Sequence, residues 1–476
     1  MQLRKGISTG AVAGVIIVIL VVAGVGYYFV TNPTVTTTTA TSTVTSTVTG
    51  GASSTTTSAA GNSITVMAIS GFSDAFFNQT AKDYMAANPG TKVNIITAPF
   101  SGILAQEQTL LQAHDSSVDV VTGTPSMVGT IAQFTINLNP YITQYNLNKS
   151  DIIPAMQTSN GDVALKNGSV QTKALAMMSD TMFVYYRPSV FKQFSNLKPM
   201  GPTATWSDFI YDESYINNQT GWYGAFIETA TAHELWNTFL DVYAANYHQS
   251  SLGPAQASYG ILFTNKLLPS FNSTYGVQAV QTMTSMLNAQ PSLIQSYGGF
   301  NYNNFVQYYT KGFNGKNFAM AIAWLAQFPS VNSTLNGDVA FATLPGGYTQ
   351  EGGSGAGISA FSKNPTLAFK FLQFCLTPAE QAKMYDVQKA MPGTFSGYKT
   401  LISEHANLAT FFTNALKAVQ AGGAEPHIIS STWALIPILD NALASVLPPN
   451  GPFTSAQIMA ALQTAANEWI PVVSHG

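Results

Sequence analysis

The stretch that decides the fold is "SITVMAISGFSDAFFNQTAKDYMAANPGTKVNIITA", Ser63–Ala98. Its first seven residues are mostly β-branched or apolar, which predicts a buried strand. Apolar residues then recur at helical spacing from Asp74, and Pro89-Gly90 ends this predicted helix. The segment "TKVNIITA" is strand-like again. A strand, a helix and a second strand in this order predict one unit of an α/β sheet.

The same alternation continues beyond Ala98. The segment "ILAQEQTLLQAH" (Ile103–His114) predicts a second helix, and "SVDVVTGT" (Ser117–Thr124) predicts a third strand. Ligands of α/β sheets bind in the loops at the carboxyl ends of the parallel strands. Ser70 and Phe72, in the loop after the first strand, are therefore candidate ligand-binding residues.

The composition of the chain is unusually poor in charge. Charged residues make up 9% of the 476 residues, against about 25% in ordinary soluble proteins. In a strongly acidic medium carboxylates are protonated, and a charge-rich surface becomes one-sided and repels itself. We therefore hypothesise an acidic exterior, and a neutral surface adapted to glycans is the alternative.

Charge and cysteine content narrow the class of protein further. The net charge is −3 and the longest basic run is Arg4-Lys5, so nucleic acid is not an expected partner. The single cysteine, Cys375, cannot form an internal disulfide. It lies in an apolar, helix-like stretch, which predicts a buried small hydrophobe.

Residues 1–30 predict a signal and transmembrane anchor. Two basic residues are followed by an uncharged stretch from Gly6 to Val30, and about 20 apolar residues suffice to cross a bilayer as a helix. The "RKG" before the apolar run resembles archaeal prepilin-type signals, which implies cleavage after Gly6 with the helix retained. The basic residues place the N-terminus inside and the remaining chain outside the cell.

Residues 31–63 predict a disordered stalk. The segment is rich in Ser and Thr and carries no charge, no aromatic residue and no hydrophobic period, so it cannot bury enough apolar surface to fold. Such tracts are common sites of O-glycosylation. The body that follows carries six sequons for N-glycosylation, which an exported protein would present at its surface. They are Asn78, Asn148, Asn167, Asn218, Asn272 and Asn332.

Several motifs in the body occur in the order found in one family of binding proteins. After "NPGTKVNI" and "INLNPYI" come "ALKNGSVQTKALAMMSDTMFVYYRPSVFKQF" (164–194), "PTATWSDFI" (202–210) and "FNGKNFAMAIAWLAQF" (313–328). "GDVAFATLPGG", "GSGAGISAFSKNPTLAFKFLQFCLTPAEQAKMY" and "SAQIMAALQTAANEW" follow. Over residues 62 to 470 the chain resembles the extracellular solute-binding proteins of ABC importers, in the sugar-binding, maltose-binding-protein-like branch. In "PTATWSDFI", Thr205 is expected to cap a helix with Asp208 at its third position.

The resemblance implies a two-lobe, periplasmic-binding-protein-like α/β fold with crossover strands between the lobes. We place lobe 1 at residues 64–175 with 361–424, and lobe 2 at 180–355 with 428–476. The crossings are expected near Lys173–Asp180, Gly355–Phe361 and Ala424–His427. The implied function is a receptor that closes over a mono- or oligosaccharide and delivers it to ABC permease subunits.

The resemblance also implies candidates for the sugar site. Sugars bind to aromatic faces and to planar polar groups. Trp324, at the end of a strand that points to the cleft, is the first aromatic candidate, and Trp433, at a helix start, is the second. Asp180 lies between apolar runs, so its carboxylate is either a ligand group or a hinge group that bonds backbone. The other candidates are Glu228, His233, Trp222 and Tyr223 in lobe 2, Gly352, Gly353 and Ser354 before the second crossing, and Met391.

The residues do not support an enzyme, a metal site or a cofactor. "HELW" lacks the second histidine of a zinc protease motif, and "NGKNF" is not a phosphate-binding loop. No catalytic carboxylate pair can be identified, which disfavours a glycosidase. The alternatives are the same fold binding a peptide or another non-sugar solute, and a pilin-like structural surface protein.

Overall fold

The structure is a computed structural model that describes residues 61–164, 169–201, 203–230, 234–248, 261–264, 268–297, 299–421 and 432–475. These residues belong to one compact unit that begins at Ala59. The predictions for the anchor, for Gly6, for nearly all of the stalk, for Asn167, for His233 and for the third crossing fall outside them. Within the described residues, no helix has both the length and the hydrophobicity that a bilayer span requires.

The predicted strands and helices of the first unit are present. Strand β1 (Ser63–Ile69) pairs in parallel with β2 (Lys92–Ala98) and with β3 (Val120–Gly123). Helix α1 (Asp74–Ala87) connects the first two strands, and α2 (Phe100–Gln112) connects the second and third. All three parallel strands therefore end at one edge of the sheet, as the sequence predicts.

Twelve strands are formed by the described residues, and they make two main sheets and one two-stranded ribbon. The remaining strands are β4 (Asp162–Ala164), β5 (Val170–Thr172), β6 (Ala174–Ser179), β7 (Met182–Tyr186), β8 (Tyr223–Phe226), β9 (Phe318–Trp324), β10 (Ala340–Ala342), β11 (Ser354–Ile358) and β12 (Met391–Pro392). A six-stranded sheet has the order β12-β6-β11-β3-β1-β2, and a four-stranded sheet has the order β10-β7-β9-β8. We call the part built on the six-stranded sheet lobe 1 and the part built on the four-stranded sheet lobe 2.

The helices cover both faces of each sheet. After α2 they are α3 (Pro125–Ile131), α4 (Asn139–Gln144), α5 (Pro154–Asn160), α6 (Pro188–Gln193), α7 (Trp206–Gln219), α8 (Glu234–His248), α9 (Thr274–Ala289), α10 (Ser292–Tyr297), α11 (Tyr302–Lys311), α12 (Phe328–Thr334), α13 (Pro365–Cys375), α14 (Pro378–Gln388), α15 (Phe395–Glu404), α16 (Ala409–Ala421), α17 (Thr432–Val446) and α18 (Ser455–His475). The predicted cap is confirmed, because Thr205 and Asp208 form a reciprocal capping box at the start of α7. Cys375 is buried at the end of α13, also as predicted.

The two sheets share part of their core. On β7, Phe183 and Tyr185 belong to an apolar cluster that continues from the six-stranded sheet, whereas Met182 and Val184 belong to a cluster with α8, α9, α17 and α18. Successive side chains of a strand point to opposite faces, so this alternation buries both faces of β7. Strand β9 is buried along its whole length beside it. The middle of lobe 2 is therefore rigid and well placed to hold a site.

The chain crosses between the sheets at two described places. Asp180 and Thr181 separate β6 of lobe 1 from β7 of lobe 2. The predicted first crossing, Lys173–Asp180, lies mostly in β6 of lobe 1, and only its last residue belongs to the connection. Strand β11 already pairs with β3 and β6 of lobe 1, so the second crossing lies at Thr349–Gly353. This is several residues before the predicted Gly355–Phe361, because the Gly-rich segment enters the lobe 1 sheet as a central strand.

Candidate functional site

A cavity of about 590 Å³ lies between the two lobes. Its lobe 1 wall consists of three segments that follow β1, β2 and β3: the loop 70–72, residues 99–101 at the start of α2, and residues 124–126 at the start of α3. These segments contribute small polar residues, prolines and two Phe rings, Phe72 and Phe100, and none of their residues is charged. The volume falls in the range of small-molecule sites.

The lobe 2 wall is built from two helix starts and one strand end. Glu234 and Asn237 lie on the first turn of α8, Tyr302 and Asn303 open α11, and Trp324 ends β9. Asn301 fixes the position of α11, because its side chain accepts hydrogen bonds from the backbone N–H groups of residues 303 and 304. The first turns of α8 and α11 therefore present an acid, two amides and an aromatic ring to one space.

Trp324 is held in place on three sides. Its carbonyl accepts a 2.5 Å hydrogen bond from the buried Tyr185 hydroxyl, and its side chain is 8% exposed. The ring lies directly over Gly352, where an added Cβ would come within 2.5 Å of ring atom Cζ3. The Glu228 carboxyl, which is fully buried, contacts Trp324 and Asn237 from within lobe 2. The ring therefore cannot turn freely and offers a fixed apolar surface to the cavity.

Asp180 joins the crossings to one another. Its Oδ1 accepts hydrogen bonds from the backbone N–H groups of Thr181 (2.9 Å) and Ala326 (3.1 Å), and its carbonyl accepts one from Gly352 (3.0 Å). Burial raises the pKa of Asp180 to about 7, and the backbone hydrogen bonds act against this rise. The residue lines the cavity and also bonds the hinge backbone, and its role as a ligand contact stays a prediction.

The second crossing is fastened to both lobes. The Gln350 N–H donates to Asp241 on α8 (2.7 Å), and the Asn160 side chain on α5 donates to the Gly352 carbonyl (2.9 Å). Gly353 adopts φ +85°, and a Cβ there would lie 2.2 Å from the Met178 carbonyl, so only glycine fits. The segment Gln350–Gly353 lines the cavity. Movement of one lobe against the other must pass through these contacts.

The cavity is rich in carboxyl groups. Asp180, Glu234 and Glu351 line it, and no Lys, Arg or His is found among its described lining residues. Burial raises the pKa of Glu234 to about 7 and that of Glu351 to about 8. Behind the wall, burial and the neighbouring Glu234 raise the pKa of Glu228 well above its ordinary value. Below about pH 6, such a cavity carries little charge and offers hydrogen-bonding groups beside an aromatic ring.

A second cavity of about 330 Å³ adjoins the first. The two share Gly71, Phe72, Tyr302 and Asn303, so they lie on either side of this group. The second cavity has a more polar lining, which includes Gln327, Ser330, Gln388 and Lys389. Together the two cavities form an elongated cleft between the lobes.

Of the residues predicted from the sequence, six line the first cavity. These are Ser70, Phe72, Asp180, Trp324, Gly352 and Gly353. Glu228 lies just behind it, and Ser354 is buried as the first residue of β11. Trp433 is half-buried at the start of α17 and packs edge-on against Phe100, which does line the cavity (ring centroids 6.2 Å apart).

Three other predicted residues lie away from the cavity lining. Tyr223 is buried on β8 against Phe318, and Trp222 packs against the Arg187 guanidinium (5.4 Å). Met391 is buried on the edge strand β12, next to Ala390 of the second cavity. Their roles as ligand contacts stay predictions.

Several residues of the wall are not among the predicted site residues, and the chemically most important of these are Glu234, Asn237, Tyr302, Asn303 and Glu351. Tyr302 and Asn303 reach the cavity because α11 packs there, which is a tertiary effect. The spacing Asn301-x-x-Asn304 is a capping signature and would have identified the helix start. Glu351 directly precedes the predicted Gly352–Ser354 turn, but nothing in the local sequence places its carboxyl in the cleft.

The predicted sequons differ in their exposure to solvent, and possible metal ligands do not cluster in the described residues. Of the sequons in the described residues, Asn78, Asn148 and Asn218 are exposed, and Asn272 and Asn332 are half-buried. Across the described part of the chain, no group of three or more His, Cys, Asp or Glu side chains is arranged to hold a metal ion.

Comparison with known proteins gives a family match and many similar folds. Residues 72–382 match the family described as bacterial extracellular solute-binding protein. Curated protein sequences give no significant match. Among solved structures, the GacH receptor of Streptomyces glaucescens, described in complex with acarbose, is 17% identical with a TM-score of 0.66 and covers 87% of this chain and 98% of its own. Maltose-bound MalE3 of T. maritima is 18% identical, with a TM-score of 0.66 and coverage of 86% and 99%.

A third similar structure contains a ligand of a different chemical class. A solute-binding protein of Agrobacterium radiobacter in complex with ribitol is 17% identical, with a TM-score of 0.65, and covers 85% of this chain and 97% of its own. At these identities the likeness concerns the fold. The matched region contains the whole four-stranded sheet, strands β2, β3, β6 and β11 of the six-stranded sheet, and the cavity-lining residues from Phe72 onward.

Proposed function

The chain belongs to the family of bacterial extracellular solute-binding proteins, and from this premise we propose that it captures a sugar between its two lobes for an ABC importer. The observation that carries the proposal is the fixed Trp324 ring beside Asp180, Glu234, Asn237 and Asn303 in one interlobe cavity. An aromatic face suits the C–H side of a sugar ring, and amides and carboxyls suit its hydroxyl groups.

The elongated cleft favours an oligosaccharide over a single sugar. The first cavity holds the aromatic platform, and the polar second cavity begins where the two share Phe72 and Tyr302. A sugar ring on Trp324 would leave room for further units to extend past Phe72. Maltose is named for one similar structure and acarbose for another, which supports this class of solute.

Closure of the lobes supplies the signal to a permease. A solute that contacts the loops of lobe 1 and the wall of lobe 2 together binds the closed form better than the open form and shifts the population toward it. The crossings at Asp180–Thr181 and Thr349–Gly353 are the segments about which the lobes would turn. The permease subunits would then recognise the closed pair of lobes.

The N-terminal segment would keep this receptor at the cell surface. We propose that residues 1–30, cleaved after Gly6 or not, anchor the chain, and that the Thr-rich stalk tethers the body. A flexible tract of roughly 30 residues spans about 30 Å and reaches about 95 Å when extended. N-glycans on the exposed sequons and O-glycans on the stalk would suit the charge-poor surface.

A second candidate is a polyol or a basic peptide. Three carboxyl groups without a described cationic partner in the lining disfavour an anion and would accept a cationic solute once ionised. A similar structure contains ribitol, which supports the polyol. The same fold and closure would serve these solutes.

A thermal-shift screen of residues 61–476 separates these candidates. Maltose, maltopentaose, ribitol, glucuronate and lysyl-alanine would each be tested at pH 5 and at pH 8, where the cavity carboxyl groups are neutral and ionised respectively, because a ligand that binds only the folded state raises the melting temperature. A shift of several degrees with maltose or maltopentaose supports the sugar proposal. A shift with ribitol or lysyl-alanine alone replaces it with the second candidate, and a shift with glucuronate contradicts both.

A further inference from the structure

One carboxyl group in the cavity wall is only half satisfied by the protein. Glu351 is 1% exposed and lies in the second crossing, paired across a β-bridge with Thr181. One carboxyl oxygen, Oε2, accepts a hydrogen bond from the Ser159 hydroxyl on α5. The other, Oε1, is buried and has no hydrogen-bond partner among the described residues. A buried polar atom without a partner costs about 1–3 kcal/mol, so its retention beside a cavity points to a partner that comes from outside.

The surroundings of Glu351 contain no cation in the described part of the chain. The titratable groups that line the same cavity are Asp180, Glu234 and Tyr302, and Asp241 binds the backbone of the preceding residue, Gln350. Glu228 lies behind Trp324. All of these groups except the tyrosine are acids, so none of them stabilises a negative charge on Glu351. Ionisation of Glu351 would place a negative charge among other carboxyl groups in a space that excludes water.

We propose that Glu351 recognises the solute as a neutral carboxylic acid, with Oε2 held by Ser159 and the hydroxyl at Oε1 donating a hydrogen bond to a solute oxygen. The inference rests on the proposed function and makes it more specific. A neutral carboxylic acid both donates and accepts hydrogen bonds, whereas a carboxylate only accepts them. The cavity then suits an uncharged polyhydroxylated solute, with an ether or hydroxyl oxygen as the acceptor at Glu351.

This role makes binding dependent on pH. Burial raises the pKa of Glu351 to about 8, and the hydrogen bond from Ser159 acts against the rise. Below this value Glu351 is neutral and can donate. Above it, the apparent dissociation constant rises as the inverse of the neutral fraction of Glu351, and each binding event must take up the missing proton. A receptor of this kind works fully in acidic surroundings, in agreement with the charge-poor composition of the chain.

The test is a calorimetric titration of the full-length protein with maltose at pH 6 and pH 9, in two buffers of different ionisation enthalpy. For the wild type we expect affinity to fall at least tenfold between these pH values, with proton uptake at pH 9. Glu351→Gln keeps the shape of the neutral acid and cannot ionise. At pH 6 this variant should bind maltose within about threefold of the wild type. At pH 9 it should bind about tenfold more tightly than the wild type and take up about one proton less per maltose than the wild type does.

The matched control is Glu107→Gln. Glu107 is also a fully buried glutamate with a raised pKa, but it accepts a hydrogen bond from the Thr122 N–H outside the cavity. Its substitution should leave the pH dependence of binding as in the wild type. The proposal would be overturned if wild type and Glu351→Gln lost affinity equally between pH 6 and pH 9 and took up equal numbers of protons at pH 9, with both proteins melting cooperatively.

A second measurement separates this inference from the sugar proposal. If maltose binds the wild type at neither pH, the choice of maltose fails, and the infrared spectrum of the ligand-free protein then decides the state of Glu351. The wild-type minus Glu351→Gln difference spectrum at pH 6 should contain the carbonyl band of a protonated carboxylic acid. A carboxylate band in its place would overturn the inference whatever the solute.

Discussion

The two walls of the cavity are built in different ways. Lobe 1 offers the loop after β1 and the first turns of α2 and α3, and Ser70, Gly71 and Ser101 among these residues are exposed to solvent. Lobe 2 and the crossings offer buried groups, namely Trp324, Asp180 and Glu351, each fixed by hydrogen bonds or packing. A preorganised wall loses little entropy when a ligand binds, whereas exposed side chains and an exposed loop must be ordered. We therefore expect lobe 2 and the crossings to supply most of the affinity, and lobe 1 to close over the bound solute.

The largest expected effect is that of pH on the free energy of unfolding, because the buried acids lie mostly in lobe 2 and the crossings. Burial raises the pKa of Asp180 to about 7, of Asp212 on α7 to about 7 and of Glu351 to about 8. Burial also raises the pKa values of Glu213, Glu228 and Asp241 well above their ordinary range. Among the described residues of lobe 1, only Glu107 is an acid whose pKa burial raises in this way. Asp83 and Glu380 in lobe 1 form ion pairs with Lys383.

The sign of the effect follows from these shifts. An acid with a raised pKa in the folded state binds protons more tightly than the unfolded chain does, so its contribution is complete below about pH 4 and is lost as pH rises to about 8. We predict that the free energy of unfolding falls by several kcal/mol between pH 4 and pH 8, with a melting temperature lower by about 10 °C. Calorimetry measures the fall, and hydrogen exchange should locate it in lobe 2. A protein more stable at pH 8 than at pH 4 contradicts the assignment of these acids.

Replacement of Trp324 is expected to have the largest effect on binding. Trp324→Ala removes the aromatic surface at the centre of the fixed wall and should weaken sugar binding tenfold to a hundredfold, about 1.4–3 kcal/mol. Isothermal titration with maltose or maltopentaose measures the change. Phe72→Ala, on the lobe 1 side of the cavity, is the matched comparison and should cost less. A larger loss for Phe72→Ala would reverse the proposed division between the walls.

Much of this site could be predicted from local sequence, and the failures have one cause. Ser70, Phe72, Asp180, Trp324 and Gly353 follow strands or flank a crossing, so their place in the chain determines their place in the fold. The strand "FAMAIAW" ends at Trp324, so its last residue lies at the end of the strand that borders the cavity.

The residues that were missed depend on packing between distant segments. Tyr302 and Asn303 enter the cavity only because α11 packs beside β9, and Glu351 becomes a site residue only because Ser159 lies next to it. The second crossing was predicted too late because a strand rich in glycine carries little β signal. These features depend on tertiary contacts, which a single sequence does not encode in any short window.

A smaller effect is expected from Gly352, which tests whether Trp324 must be fixed. Gly352→Ala places a Cβ about 2.5 Å from the ring and should displace it, with a loss of affinity of about tenfold. Gly201→Ala is the control, since a Cβ there meets nothing within 4 Å. Maltose titrations of both variants give the comparison. Wild-type affinity in Gly352→Ala would show that the ring position is not critical.

The smallest effect is expected from a single hydroxyl on the lobe 1 wall. The Thr124 Oγ1 is buried without a hydrogen-bond partner in the described residues and lies in the loop after β3. Thr124→Val keeps the shape and removes one hydrogen bond to the solute, which should cost about 0.5–1 kcal/mol, or roughly two- to fivefold in affinity. Titration against wild type measures it. A loss as large as that of Trp324→Ala would remove the distinction between the two walls.

The most direct test of the central claim is a crystal structure of the body, residues 61–476, grown at pH 5 with maltopentaose. We expect one sugar ring on the face of Trp324, hydroxyl groups within hydrogen-bond distance of Glu351 and Asn303, and further rings that pass Phe72 toward Lys389. A saturated crystal with no sugar between the lobes, or with sugar bound outside this cleft, would contradict it.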